Sequence, residues 1–184
     1  ASGETIQAST WASPTAWSAP IDLLTRTYPA SAAGPRAAVK GTNAVVAWSQ
    51  YDARSGTASP LLYAATSDGS SWSAPVLLDG WGGGSVEVHA ASADEFAVSW
   101  IAGLDGSPTV RRFSFATGAW APAVALGASS ATTFTLTHTG DEYVAVYGDA
   151  GSLSGTTSVD GVTWAPSVGL GAGTEAQLVS GGGT

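Results

Sequence analysis

Tyr63-Ala-Ala-Thr-Ser-Asp-Gly-Ser-Ser-Trp-Ser-Ala-Pro-Val-Leu-Leu78 is the stretch from which the rest of the chain can be read. Asp68-Gly69 is a turn dipeptide with apolar and β-favouring residues on both sides, so the segment reads as a strand, a tight reversal and a second strand beginning near Trp72. The second half recurs as Trp17-Ser-Ala-Pro-Ile-Asp-Leu23, Trp120-Ala-Pro-Ala-Val-Ala-Leu126 and Trp164-Ala-Pro-Ser-Val-Gly-Leu170. In all four copies a Leu stands six residues after the Trp. The four tryptophans, at 17, 72, 120 and 164, are 44 to 55 residues apart. That period accommodates four strands per repeat, the arithmetic of a β-propeller blade.

Between the hairpins lie further strand pairs. Ala37–Lys40 and Ala44–Trp48 flank a turn at Gly41-Thr-Asn43, and Ser85–His89 and Phe96–Trp100 flank an acidic turn at Asp94-Glu95. Thr133–His138 and Tyr143–Tyr147 flank Gly140-Asp-Glu142. Trp48, Trp100 and Tyr147 hold one equivalent position, and the alternation in Thr133–Thr137 excludes a helical solenoid. The expected class is all-β, with four-stranded antiparallel blades at 25–78, 79–126 and 127–170. Residues 1–24 supply a half blade of two last strands, and 171–184 the first strand of a further or shared blade, at Glu175–Ser180. Thr25–Arg36 and Ser49–Pro60 read as loops on composition. One strand of the shared blade is missing, so the propeller is expected to be completed by the remainder of a longer chain or within a homo-oligomer. The hairpin tryptophans are expected in the core, where each removes about 150–250 Å² from water.

Composition narrows the function classes. The chain has 184 residues, no Cys and no Met, so disulfides, thiolate metal sites and thiol catalysis are excluded. Its 6 Lys+Arg against 14 Asp+Glu give a net charge of -8, which argues against nucleic acid as a partner. No apolar run approaches the roughly 20 residues of a membrane-spanning helix. An Ala-Ser-Gly start, Ser/Thr/Gly richness and scarce Lys fit an exported protein, secreted or periplasmic, after signal removal. No cofactor is expected. His89 and His138 fall at one repeat position, which suggests strand-end residues rather than a metal pair. Gly80-Trp-Gly-Gly-Gly84 precedes a strand, not a helix, so it reads as a connector rather than a phosphate loop. Asp141, Glu142 and Asp149 lack the spacing of a calcium loop.

Ser158-Val-Asp160-Gly161-Val-Thr-Trp164 and Thr66-Ser-Asp68-Gly69-Ser-Ser-Trp72 resemble the Asp-box of bacterial neuraminidase repeats in sialidase-like β-propellers. Both copies have one residue fewer between Asp and Trp than the family pattern, and the copies ending at Trp17 and Trp120 lack the Asp. The resemblance implies a propeller in which these boxes are rim turns with a structural role, Asp68 and Asp160 fixing the reversal by accepting backbone N–H bonds. It also implies that a catalytic member would need three clamping arginines, a Tyr–Glu nucleophile pair and an acid/base Asp. Arg26-Thr-Tyr-Pro-Ala30 departs from the family's Arg-Ile-Pro spacing, and no Glu stands in a nucleophile context. Arg111 and Arg112 adjoin on a strand and point to opposite faces.

The expected function is therefore a non-catalytic, lectin-like module that binds a glycan or protein partner. Its candidate ligand residues stand on the loops at one face: Arg26, Tyr28, Arg36, Tyr51, Asp52, Arg54, Trp81 and Asp105. The alternatives are a fragment of a sialidase-like glycoside hydrolase, and an assembly subunit that pairs through an open blade edge.

Overall fold

The hairpin turns organise each sheet locally. Gly69 and Gly161 take φ of 92° and 67°, values that an L side chain adopts only with strain. Each also meets a neighbour closely: a Cβ on Gly69 would stand 2.9 Å from Thr42 Cβ, and one on Gly161 3.0 Å from the Tyr143 ring. After each turn comes the Trp, then a Pro within three residues, and a strand begins four residues beyond the Trp in all four copies, at Ile21, Val76, Val124 and Val168. Proline has no N–H to give to a ladder, so pairing resumes only after it.

The computed structural model describes residues 4–9, 11–13, 16–26, 30–52, 60–81, 84–127, 130–149 and 151–178, without a helix among them. The strands are β1 (Glu4–Ala8), β2 (Trp11–Ser13), β3 (Ala16–Trp17), β4 (Ile21–Arg26), β5 (Ala30–Lys40), β6 (Asn43–Asp52), β7 (Leu61–Ser67), β8 (Val76–Asp79), β9 (Glu87–Ala90), β10 (Glu95–Ile101), β11 (Pro108–Ser114), β12 (Ala119–Trp120), β13 (Val124–Ala125), β14 (Thr133–His138), β15 (Tyr143–Asp149), β16 (Ser152–Ser158) and β17 (Val168–Ala172). Three antiparallel sheets follow chain order: β5-β6-β7-β8, then β9-β10-β11 with β12 and β13 sharing the β11 edge, then β14-β15-β16-β17. The N-terminal segment forms two small pairs, β1-β4 and β2-β3.

The sheets stack face to face in that order, and β9 lies beside both β5 and β14. Ile6 and Leu23 of the N-terminal pair pack on Val46, Trp48 and Ala65. The other face of the same sheet, with Val45, Ala47, Leu62 and Ala64, packs on Phe96, Val98, Trp100 and Phe113. Ala97, Val110 and Leu126 then meet Phe134, Leu136, Tyr143, Ala145 and Tyr147. Successive residues of β6 and β10 thus feed opposite interfaces, as the two-residue period requires. In three of the four copies the Leu six residues after the Trp packs onto the following sheet, Leu23, Leu78 and Leu126 being 8%, 7% and 9% exposed, whereas Leu170 is 58% exposed.

Some expectations need correction. Arg36 and its neighbours, expected in a loop, belong to β5, which pairs with β6 from Ala30 to Lys40. The register shifts between Ala33 and Arg36, where Gly34 takes φ of 60° and Pro35 offers no N–H. A bulge therefore absorbs the two residues that read as breakers. β6 likewise runs on to Asp52, past the start of the loop read at Ser49–Pro60. Glu175–Leu178 forms no strand, and the remainder of the expected C-terminal strand lies outside the described residues. The hairpin tryptophans Trp72, Trp120 and Trp164 are only half-buried against the sheets, whereas Trp48 and Trp100, at the second-strand position, are fully buried. A Trp beside a turn sits at the edge of its sheet, and one in a central strand is covered from both sides. The side chain of Trp17 lies outside the described residues.

Candidate functional site

Two ends of the stack differ in their connections. At one end stand the short reversals: the Asn43 side-chain N–H₂ donates to the Ala93 carbonyl at 2.8 Å, joining the turns of neighbouring sheets. The Asp68 and Asp160 hairpin turns have their own local chemistry. Asp68 Oδ1 accepts the Ser70 hydroxyl at 2.7 Å and the Ser70 and Ser71 N–H groups at 2.9 and 3.2 Å. Asp160 Oδ1 accepts the Val162 and Thr163 N–H groups at 2.8 and 2.7 Å. Donors to the charged form hold both carboxyls down at about 2, the Ser70 hydroxyl foremost for Asp68 and the Thr163 N–H foremost for Asp160. Thr66 and Ser158, at the head of each motif, are buried and bonded across the hairpin, Thr66 N–H to Ser73 Oγ and Ser158 Oγ to the Thr163 carbonyl. These bonds fix the two reversals.

At the other end the longer connections are tied to one another. Gly103 N–H donates to the Trp81 carbonyl at 2.8 Å and Ile101 N–H to the Gly84 carbonyl at 3.0 Å. Ser130 N–H donates to the Asp105 carbonyl at 2.7 Å and Ala131 N–H to that of Gly106 at 2.9 Å. Gly106 has φ of 72°, and a Cβ there would stand 2.8 Å from the Ser130 backbone, so this junction needs glycine. Trp81 is held from its other side by Asp79, whose Oδ1 accepts the Trp81 N–H at 2.9 Å. Asp79 Oδ2 accepts the indole N–H of buried Trp100 at 2.7 Å. Trp81 is 43% exposed on this fixed backbone, and Leu104 and Asp105 are exposed on the next loop. One Asp105 oxygen accepts the Ser107 N–H at 2.9 Å, and this contact holds its carboxyl below the usual carboxylate range.

A separate open cleft of about 390 Å³ lies where β5, β9 and β14 run side by side. Arg36, Glu87, His89, Thr135, Thr137 and Leu178 line it. His89 Nε2 stands 3.4 Å from Glu87 Oε2 and 3.4 Å from Ser99 Oγ, so the imidazole is oriented by its own sheet. His138 is not brought to it: its ring packs edge-on to Tyr143 at 4.7 Å, and burial lowers its pKa. Among the described residues no cluster of three or more His, Asp or Glu side chains could hold a metal.

The predicted ligand residues therefore separate. Arg36 faces the cleft, a position that its assignment to a loop had hidden. Trp81 and Asp105 share the tied loops, and Tyr51 is exposed near the end of β6. Arg26 and Asp52 close β4 and β6, but their side chains lie outside the described residues, as do Tyr28 and Arg54 entirely. Arg111 and Arg112 have structural partners: Arg111 Nε donates to the Ala121 carbonyl at 2.9 Å, and Arg112 pairs with Glu95 at 3.2 Å. Glu87 and His89 were missed as cleft residues. The signal available was their place on a first strand, since such strands adjoin in the stack.

No protein-family model matches the chain, and no curated protein matches it. Among solved structures, the chain is similar to one titled Hadza microbial sialidase Hz136, with 15% identity over 87% of this chain and a TM-score of 0.45. The matched region is 35% of that protein, so this chain spans about a third of its length.

Proposed function

We propose that the chain is part of a sialidase-like β-propeller and acts as an exported, non-catalytic module that binds a glycan or protein partner, a glycan first, through the tied loops at one end of its stack. In this reading the three larger sheets are blades, β12 and β13 together making the fourth strand of the middle one, the Asp68 and Asp160 turns are Asp-boxes on the rim, and the N-terminal pairs are a half blade. The observation that carries the binding role is Trp81. An indole exposed to 43%, whose backbone is anchored through Asp79 to the core residue Trp100, is a preformed stacking surface for a sugar ring. Binding to a glycan array by the purified chain, lost in Trp81→Ala, is the expected result. Turnover of a fluorogenic sialoside contradicts the non-catalytic part. That rival, a partial glycoside hydrolase, draws its support from Arg36, Glu87 and His89 around one cleft.

A second reading, an assembly subunit, is favoured by Leu170. Its counterparts each contact a following sheet, and its own exposure of 58% leaves an apolar sheet face, with Val168, for another sheet to cover. Sedimentation over a hundredfold range of concentration tests it, and a constant monomer mass refutes self-assembly.

A further inference from the structure

We infer that Asp68-Gly69 and Asp160-Gly161 are isoaspartate-forming sites held unreactive by the hydroxyls of Ser67 and Ser158. Asp-Gly is the dipeptide most open to this chemistry, because glycine sets no side chain against ring closure. The Gly nitrogen attacks the carbon of the Asp side-chain carboxyl, the amide proton and the carboxyl hydroxyl leave together as water, and a five-membered succinimide forms. Water then opens one of its two carbonyls. Opening at the former main-chain carbonyl leaves a free α-carboxylate and a backbone that runs through the side chain, one methylene longer. In these hairpins that change would remove the acceptor that fixes the turn and shift Trp72, which bridges to Ser67 just across it.

Both reacting groups are bonded to something else. Gly69 N–H donates to Ser67 Oγ at 3.1 Å and Gly161 N–H to Ser158 Oγ at 2.9 Å. The carboxylates accept from residues further on, Asp68 from Ser70 and Ser71, and Asp160 from Val162 and Thr163. To react, the amide must give up its hydroxyl partner and the carboxyl its amide donors. Ser67 stands one residue before its Asp and Ser158 two before, so the hydroxyl starts from different places in the two motifs and reaches the same amide. What the motifs share is therefore the held Gly N–H, not the spacing. At about 2 against an ordinary 3.8, both carboxyls are also protonated less often, on the order of 10–100-fold, and only the acid form can lose its hydroxyl. Asp105-Gly106 is held by the backbone instead, Gly106 N–H donating to the Ala102 carbonyl at 2.9 Å.

The test incubates the full chain and its variants at neutral pH, well below their melting temperatures, and maps isoaspartate at each Asp by electron-transfer mass spectrometry. The Asp68 carboxylate takes its bonds from Ser70 and Ser71, so Ser67→Ala frees the amide and leaves the acid as it is. Isoaspartate at Asp68 should then accumulate about fivefold faster, the rate equivalent of one net hydrogen bond. Ser73→Ala removes the 3.0 Å bond from Thr66 N–H across the same hairpin without touching Gly69. It should leave the rate at Asp68 at the wild-type level, even where its melting temperature falls as far as that of Ser67→Ala. Ser158→Ala should accelerate the reaction at Asp160 by at least as much, since it also takes a 3.0 Å hydroxyl bond from that carboxylate. An unchanged rate in Ser67→Ala or Ser158→Ala overturns the assignment for that turn. Equal acceleration at Asp68 in Ser67→Ala and Ser73→Ala overturns it too, because the rate would then follow the rigidity of the hairpin and not the held amide.

Discussion

Leu78→Ala and Leu170→Ala make the same chemical change at the same repeat position, yet the stack of sheets predicts different costs. Removing three carbons from a covered leucine loses about 2.4 kcal/mol of transfer free energy at ~0.8 kcal/mol per methylene. Leu78 is 7% exposed between two sheets, so the loss applies nearly in full, and the residual cavity raises it to about 3 kcal/mol. Leu170 is 58% exposed, so less than half of the transfer loss applies and no enclosed cavity forms, giving about 1 kcal/mol or less. Guanidinium unfolding followed by tryptophan fluorescence reads the difference as a shift in midpoint at constant slope. The two variants should differ by about 2 kcal/mol, or on the order of 4–8 °C in melting temperature for a domain of this size. Equal losses would refute the reasoning. They would mean that the last sheet's outer face is covered in solution, and dilution of the Leu170→Ala protein would show whether that cover is a second copy.

Acid should weaken the two hairpin turns. Because the folded pKa values of Asp68 and Asp160 are depressed from 3.8 to about 2, their stabilisation is complete above the unfolded value and is lost as pH falls from about 4 toward 2. Melting temperature against pH should therefore drop across that window in the wild type and drop less in Asp68→Asn/Asp160→Asn. Asp79→Ala leaves the buried Trp100 indole N–H without its acceptor, at a cost of about 1–3 kcal/mol, and loosens Trp81, so denaturant midpoint and glycan affinity should fall together. Tyr147→Phe removes the 2.9 Å bond to the Leu126 carbonyl and should cost about 1 kcal/mol by the same unfolding assay, with ligand binding unchanged. Gly106→Ala forces a left-handed residue into the Ser130 backbone, and should destabilise by more than about 1 kcal/mol and increase proteolysis in the tied loops.

Short-range chemistry was legible in the sequence. Asp-Gly dipeptides, the Trp, the following Pro and the apolar alternation mark turns, strand starts and an all-β repeat, because each acts within a few residues of itself. Arg36 shows where that reading stops: Gly34 and Pro35 argue for a loop, but pairing with β6 outweighs them and the bulge takes up the strain. What only the tertiary structure decided is which surfaces are covered. Trp48 and Trp100 are buried and the hairpin tryptophans half-exposed because central strands lie between two sheets and hairpin turns lie at an edge. Leu78 and Leu170 share one local pattern, and among the described residues only Leu78 is covered by a following sheet. The gathering of Arg36, Glu87 and His89, and the tie between Trp81 and Gly103, likewise come from strands and loops far apart in the chain. Local sequence carries no record of such neighbours, since burial is set by how whole sheets stack.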